Sequence, residues 1–363
     1  MSKKKYSGIG GQAVMEGIMM RNGNRYAVAV RKKDGEIVVD VQDSVPFGEK
    51  HKWGKWPIVR GVVAFVESLV IGMKTLMWSS SFFEVEEDEK KKEKEEKKEK
   101  KSGLSGGETA LTLVIAILLA VGIFIVLPTV VSNFLKRWIE NAVLISLIEG
   151  LLRLGIFIAY ISLISLMKDV RRTYMYHGSE HKCINCLESG MPLTVENVMK
   201  SSKEHKRCGT SFLLFVMLIS IVVFIIVGIV LQSLGIDVLW VRLLTRILLI
   251  PLIAGLSYEL IRFNGRFDNA FTYVLSRPGM WLQALTTKEP TDDMAEVAIK
   301  AVEAVFDWRT FLKESFDLDV PDVSEEQESP GPEGARVLCG GLRSFGTRPE
   351  TGRRDSGRGV PET

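Results

Sequence analysis

Residues 109–135 read TALTLVIAILLAVGIFIVLPTVVSNFL, a run without one charged side chain. A bilayer core is about 30 Å thick and is crossed by roughly 20 helical residues, and this run exceeds that length. A water-soluble helix would need a polar face, which the run lacks. A second uncharged run, CGTSFLLFVMLISIVVFIIVGIVLQSLGI, covers residues 208–236. Both runs predict membrane-spanning helices.

Two further apolar runs carry charges that a spanning helix can accommodate. Residues 141–167 contain only Glu149 and Arg153, which are four apart and can pair on a helix. Residues 239–261 contain Arg242 and Arg246 near one end, where long side chains can extend to the membrane surface. The fold class predicted is therefore a mainly α membrane protein with four transmembrane helices.

The positive charges of the loops predict the orientation. The segment between the second and third spans is rich in basic residues: Lys168, Arg171, Arg172, Lys182, Lys200, Lys203, Lys206 and Arg207. The short turn after residue 135 holds only Lys136 and Arg137. Basic loops stay in the cytoplasm. We therefore expect a multi-pass protein of the cell membrane with both termini in the cytoplasm.

The N-terminal part divides into three segments. Residues 1–57 predict a soluble region with a β-hairpin, whose strands at 26–31 and 36–41 are joined by Lys-Asp-Gly. Residues 58–83 place Arg60, Glu67 and Lys74 on one narrow face of an apolar helix. This pattern favours a helix lying in the membrane interface, and a stripe turned toward a polar site is the alternative. Residues 84–103 form a charged linker.

The rest of the chain follows the same logic. The four-helix membrane domain covers residues 104–262 and includes a cytoplasmic loop at 168–208. Residues 263–319 predict cytoplasmic helices. One of these, at 292–313, has an apolar stripe: Met294, Val297, Ala298, Ala301, Val302, Val305 and Trp308. The tail, 320–363, is rich in Gly, Pro, Arg and Glu and predicts disorder.

The candidate site lies in the basic loop. It reads HGSEHKCINCLE over residues 177–188 and resumes as HKRC over residues 205–208. On a helix, the two histidines of the first stretch are one turn apart and face the same way. Imidazole and thiolate are preferred zinc ligands. The pattern predicts a divalent metal, zinc, held by His177, His181, His205 and Cys208, with Glu180 as the catalytic proton carrier.

Other interpretations of these residues stay open. Cys183 and Cys186 are compatible with a role as bystanders. The His-x-x-Glu-His pattern is also that of inverzincin proteases, whose site a distant Glu completes. Here Glu259 would take that place, although an ion pair with a basic residue is the simpler interpretation. Glu16, between glycines, could reach the metal or a headgroup, and an ordinary turn is the simpler interpretation.

Several motifs together resemble the YqhQ-like family of uncharacterised bacterial multi-pass membrane proteins. They are GGQAVMEG (10–17), MMR (19–21), YHGSEHK (176–182), LTVENV (193–198), HKRCGT (205–210), PGMWLQ (278–283) and LTTKEP (285–290). The resemblance covers roughly residues 5–315, and the tail departs from it. Members of the family have been labelled predicted metal-dependent enzymes. The resemblance therefore implies a site at His177, Glu180, His181, His205 and Cys208 and names no substrate.

Two main functions compete at this point. The first is a metal-dependent enzyme, such as a hydrolase, acting on a lipid or membrane protein at the membrane surface. The second is a non-catalytic scaffold or transporter-associated subunit with a structural metal site. A weaker third, transport, rests on Glu149, Arg153 and Glu259 as ionisable residues inside spans. The lipid bilayer is the expected partner, a homo-oligomer stays open, and no nucleic-acid partner is expected.

Overall fold

The computed structural model describes residues 5–46, 52–92, 106–236, 238–266 and 269–320. The predicted disordered tail lies outside these residues, apart from its first residue, and so does most of the predicted charged linker. The described chain is mainly helical and begins with a small sheet.

Four antiparallel strands form the N-terminal sheet in the order β1-β2-β3-β4. Their bounds are Gly10–Val14, Gly17–Asn22, Arg25–Arg31 and Ile37–Asp43. The predicted hairpin is confirmed as β3 and β4, with Arg31 opposite Ile37. The first two strands were not predicted, because their glycine-rich sequence lacks the usual β-branched alternation. Glu16 closes the turn between them at φ 51°.

Among the residues that the structure describes, five helices are long and apolar enough to cross a membrane. The first is part of α1 (Val59–Lys92), and the second is made of α2 (Gly106–Val121), a π-helical turn (Gly122–Val126) and α3 (Leu127–Leu135). The others are α4 (Ala142–Ile164), α7 (Gly209–Ser233) and α8 (Leu239–Arg266). The four predicted spans are thus long apolar helices, and Val59–Phe83 is a fifth candidate.

Helix α1 contacts both the helical bundle and the sheet. Near its start, a Cβ on Gly61 would lie 2.7 Å from the Cβ of Tyr258 in α8. Farther along, a Cβ on Gly72 would lie 2.6 Å from Oε1 of Gln12 in β1, and the Ser79 hydroxyl accepts the backbone N–H of Met15 at 3.2 Å. The later turns of α1 therefore lie on the sheet.

The remaining candidate spans pack side by side around buried charges. Helices α4 and α7 come so close at Gly150 that a Cβ there would overlap Ile221. Arg242 and Arg246 are buried at 7% and 4% exposure, so the expectation that they extend to the membrane surface is wrong. The carboxylate of Glu149 explains this for Arg246, because it accepts a hydrogen bond from Nη2 at 2.6 Å. The predicted pairing of Glu149 with Arg153 is present at 3.1 Å.

A second layer of helices covers the sheet and forms one core with it. The predicted loop at 168–208 is mostly helix, as α5 (Lys168–Glu188) and α6 (Val195–Lys200). Helix α9 (Ala270–Thr286) leads back toward α5, and α10 (Asp292–Glu303) and α11 (Trp308–Phe316) follow it. The core joins Ile18 and Met20 of β2 with Ile184 and Leu187 of α5 and Met294 of α10. This packing fixes the face of α5 that carries the histidines.

The predicted apolar stripe of the C-terminal helices is buried throughout. The stripe belongs to two helices, however, and the prediction of one helix over 292–313 is wrong. Helix α10 ends at Glu303, and Asp307 caps α11 by accepting the backbone N–H of Thr310 at 3.1 Å. An aspartate side chain competes with the helical backbone in this way, which favours a new helix start.

Candidate metal centre

Helix α5 presents His177 and His181 from adjacent turns of one face. Their ring centroids lie 4.4 Å apart. The turn between them packs closely on the segment after α9, since a Cβ on Gly178 would overlap the Lys288 carbonyl oxygen. The backbone N–H of Lys288 also donates to the Tyr174 carbonyl at 2.9 Å. The glycine in the HGSEH motif therefore lets a second chain segment approach the histidines.

Cys208 completes the group from the start of α7. It is the N-cap residue, and its Sγ accepts the backbone N–H of Thr210 at 3.4 Å. The same Sγ lies 3.2 Å from Nε2 of His177. The ligand atoms of His177, His181 and Cys208 all lie within 4.8 Å of one another. A metal ion could bind all three from a common centre.

Backbone carbonyls determine which nitrogen of each imidazole faces this centre. Nδ1 of His177 lies 2.9 Å from the Thr286 carbonyl, and Nδ1 of His181 lies 2.6 Å from the Lys203 carbonyl. A carbonyl can only accept, so both Nδ1 atoms carry a hydrogen, and each Nε2 atom is the nitrogen whose lone pair is available to a metal once the imidazole is neutral. Metal-bound histidines are usually oriented in this way. Nε2 of His181 is buried, and no described residue provides it with a hydrogen-bond partner.

Glu180 lies beside the same group, against the sheet. A Cβ on Gly11 of β1 would lie 2.9 Å from its Cδ, and the Gly11 N–H donates to the carboxylate. Oε2 of Glu180 is buried and finds no hydrogen-bond partner in the described part of the chain. Burial raises the pKa of Glu180, although the charges of His177 and His181 act in the opposite direction. A carboxyl group of raised pKa can carry a proton nearer neutral pH than an exposed one.

The electrostatics favour a thiolate at Cys208. Burial acts to raise the pKa of this thiol, but the charges of His177 and His181 outweigh it and bring the pKa well below its usual range. The pKa of His177 rises to about 10, because the Cys208 thiolate outweighs the opposing effect of burial. Thiolate is the form that binds metals.

His205, the fourth predicted ligand, is not in the group. Its ring centroid lies 5.6 Å from that of His181, and its Nε2 faces the Glu188 carboxylate at 3.7 Å. Gln283 holds its backbone from both sides, with Oε1 accepting the N–H at 3.0 Å and Nε2 donating to the carbonyl at 2.7 Å. These contacts turn the imidazole toward Glu188. The structure therefore brings three of the four predicted ligands together, and His205 lies apart from them.

The other residues weighed in the sequence lie elsewhere. Cys183 and Cys186 are buried in the hydrophobic core of α5, where burial raises the pKa of both thiols. Glu259 pairs with Arg60, whose Nε lies 2.6 Å from Oε1, so it does not complete an inverzincin site. Glu16 pairs with Arg172, whose Nη2 lies 2.6 Å from Oε2 of the carboxylate. It does not reach the group of His177, His181 and Cys208, which is called the metal group below.

Sequence reasoning missed three residues that shape the site. Gly11 contacts Glu180, Glu188 faces the imidazole of His205, and Gln283 binds the backbone of His205. Gly11 and Gln283 belong to motifs that carry the family resemblance, which was the available signal. Their contacts cross between distant chain segments, so no local period could reveal the partners.

The chain is similar to known proteins over most of its length, including the candidate metal centre. The model of a family described as "Protein of unknown function (DUF1385)" matches residues 56–308. The chain belongs to this family. It is also 35% identical over 309 residues to "Uncharacterized protein YqhQ" of Bacillus subtilis (strain 168), across 83% of this chain and 93% of the relative. No solved structure matches. The family match includes His177, Glu180, His181 and Cys208, and the family description assigns no activity.

Proposed function

We propose that this DUF1385 member is a membrane-embedded, metal-dependent enzyme. Its zinc ligands would be His177, His181 and Cys208, and Glu180 would move protons. The observation that carries the proposal is the convergence of three ligand atoms within 4.8 Å. Three protein ligands are typical of catalytic zinc, which keeps its fourth position for water or substrate, whereas structural zinc usually has four.

The donor set suits zinc or a similar divalent metal. Thiolate and imidazole are ligands of zinc and are poor ligands of calcium or magnesium. A bound ion would also give a partner to Nε2 of His181, for which the described residues provide none. Buried polar atoms without partners are rare and call for an explanation. The Thr286 and Lys203 carbonyls would keep the histidines oriented.

Zinc in such a site supplies a Lewis acid that activates water or polarises an oxygen of the substrate. Glu180 would accept a proton from the attacking water and return it to the leaving group. Its buried position beside His177 and His181 and its unpartnered Oε2 suit this role. The Gly11 N–H holds the carboxylate in place from the other side. This scheme predicts hydrolysis as the reaction class.

The substrate class follows from the location. Cys208 immediately precedes α7, and α5 begins shortly after α4 ends at Ile164, so two candidate spans end beside the site. A phospholipid headgroup or a membrane-protein segment at the membrane surface could reach this position. We expect the site to lie on the cytoplasmic side, because the surrounding segments are basic.

Metal analysis of detergent-purified protein tests the proposal. We expect about one zinc per chain in the wild type and loss of most of it in His181→Ala and Cys208→Ala. His205→Gln should keep the metal, because His205 faces Glu188. Cys186→Ala is the matched control for cysteine removal, since Cys186 lies in the hydrophobic core.

Glu180→Gln separates the proton carrier from the ligands. It should retain zinc and lose the hydrolytic activity found with membrane lipids or peptides. Substoichiometric metal in the wild type, or equal metal content in Cys208→Ala and Cys186→Ala, would contradict the metal site. Full activity in Glu180→Gln would contradict the proton role.

A structural metal site in a scaffold is the second candidate. It is favoured by the way the ligands join the middle of α5 to the start of α7 across the segment at residues 189–207. Chelation should then expose this segment to proteolysis, whereas a purely catalytic metal should leave the cleavage pattern unchanged. Limited proteolysis with and without chelator distinguishes the two candidates.

A further inference from the structure

Among the described residues, buried guanidinium groups outnumber buried carboxylates at the end of the bundle remote from the group of His177, His181 and Cys208. Glu149 is the buried carboxylate here, and three guanidinium groups, those of Arg153, Arg242 and Arg246, are buried around it. Glu149 is already saturated with donors. Oε1 lies 3.1 Å from Arg153 Nη2 and 3.1 Å from the Thr129 hydroxyl, and Oε2 lies 2.6 Å from Arg246 Nη2 and 2.8 Å from the Ser132 hydroxyl. It therefore has no lone pair left for a third guanidinium.

Arg242 is that third guanidinium. It is 7% exposed, and its Nη1 is buried without a hydrogen-bond partner among the described residues. A buried donor that no group satisfies is destabilising, and this one belongs to a charged guanidinium. An arginine in this position is expected to have an anion as a ligand, since its fork of donors suits carboxylate and phosphate.

A cavity of about 360 Å³ lies next to Arg242. Lys136 and Gln232 add donors to its wall, Ile145 and Leu231 add apolar surface, and Glu140 contributes an exposed carboxylate. Burial, together with the charges of Arg242 and Arg246, lowers the pKa of Lys136 to about 8. Positive charge is therefore crowded at this cavity, and a bound anion would relieve the repulsion.

The cavity is distinct from the metal group. Helix α7 begins next to Cys208 and ends at Ser233, beside the cavity-lining Gln232. Its 25 residues correspond to about 37 Å at 1.5 Å per residue, so the two sites lie at opposite ends of the bundle. A ligand here would not touch the residues of the proposed enzyme site.

We propose that this cavity is a binding site for a phosphate ester, with Arg242 as its principal ligand and Lys136 as the second cation. The volume is in the range of small-molecule sites and exceeds what one inorganic ion fills. The apolar wall accommodates the organic part of the ester. The phosphate can belong to an anionic phospholipid or to a soluble metabolite, and the two sources are separated by experiment.

Thermal unfolding of the full-length, delipidated protein in neutral detergent tests the site. The probes are phosphatidylglycerol in mixed micelles, glycerol 3-phosphate, and sodium chloride at equal ionic strength. The wild type should show a dose-dependent rise in unfolding temperature with a phosphate probe and none with chloride. A rise with the lipid alone assigns the phospholipid, and a rise with glycerol 3-phosphate assigns the soluble ester.

Arg242→Gln should weaken the binding of that probe about tenfold or more, because a charge-assisted bidentate contact is lost. Arg137→Gln is the matched control, since Arg137 is an exposed arginine of the adjacent turn that stacks on Phe134. Lys136→Gln provides a second test if Arg242→Gln does not fold. The proposal is overturned if neither phosphate probe shifts the wild type, or if the cavity variants respond like Arg137→Gln.

Discussion

Gly11 is the residue at which the sheet meets the candidate metal centre. A Cβ there would lie 2.8 Å from the Met19 carbonyl oxygen and 2.9 Å from both Glu180 Cδ and Met20 Sδ. The backbone has no room to yield, so Gly11→Ala should lower the free energy of unfolding by about 1–3 kcal/mol through overpacking. Thermal unfolding in detergent measures the change.

The neighbouring Gly10 is the matched control, because a Cβ there meets nothing within 4 Å. Gly10→Ala should be neutral or slightly stabilising, since alanine restricts the unfolded chain. Equal destabilisation by both substitutions would mean that β1 does not approach Glu180 as described.

At the scale of residues, the sequence predicted those contacts that form within a single helix. His177 and His181 are four apart on α5, and the helical repeat alone brings their rings together. The surroundings of His205 could not be predicted in this way, because Glu188 faces its imidazole and Gln283 binds its backbone, both from other elements. Ion pairs and side-chain contacts across 78 residues of sequence follow from packing, which no spacing rule contains.

The course of α1 is the main prediction at the scale of elements. Its turns around Gly72 and Ser79 contact β1 and the following turn, and Ile71 is buried against the sheet. We therefore expect its C-terminal end to stay on the same side of the membrane as the sheet. An epitope inserted in the linker at residues 93–103 and one at the N-terminus should show the same protease sensitivity in inside-out vesicles.

Opposite sensitivities would show that α1 crosses the membrane and that the spans number five. An epitope after residue 320 serves as a reference for the cytoplasmic side predicted from the basic loops. Both results are readable in the same vesicle preparation.

Elements with strong periodicity were predictable, and those that depend on neighbours were not. Long apolar runs predicted the long helices, and the Asp-Gly turn predicted the β3–β4 hairpin. Strand β1 is stabilised by its pairing with β2 and by its contact with α5. Its glycine-rich sequence does not itself favour a strand, so the sequence did not predict it. Arg246 points inward because it donates a hydrogen bond to the buried carboxylate of Glu149, 97 residues away in the sequence. Arg153 donates to the same carboxylate.

At the scale of the whole molecule, Glu188 connects three distant segments. Its carboxylate accepts the Ser7 N–H at 3.0 Å and pairs with Arg207 and His205. Burial acts to raise its pKa, but His205 and Arg207 outweigh it and lower the pKa to about 2. A lowered folded pKa contributes stability above the unfolded value of about 4.3, and this stability is lost as the pH falls toward 2.

Glu188→Gln should therefore destabilise the protein most at pH 7, and the difference from the wild type should shrink below about pH 4.3. Unfolding curves between pH 7 and pH 3 measure it. Glu196→Gln, at an exposed carboxylate paired with Lys200, should have little effect at any pH. A Glu188→Gln difference that stays constant down to pH 3 would contradict the assignment.

The hydrophobic core that the sheet forms with α5 and α10 also has a consequence for biosynthesis. Strands β1 to β4 leave the ribosome early, yet the α10 side chains that cover them, such as Met294, are made some 260 residues later. At roughly 5–20 residues per second, the nascent sheet waits on the order of ten to fifty seconds for its cover. On the proposed membrane location, several hydrophobic helices would be delivered to the translocon during this interval, while an unfinished domain exposes apolar surface. Chaperone capture of the nascent N-terminus is therefore expected to accompany membrane insertion of this chain.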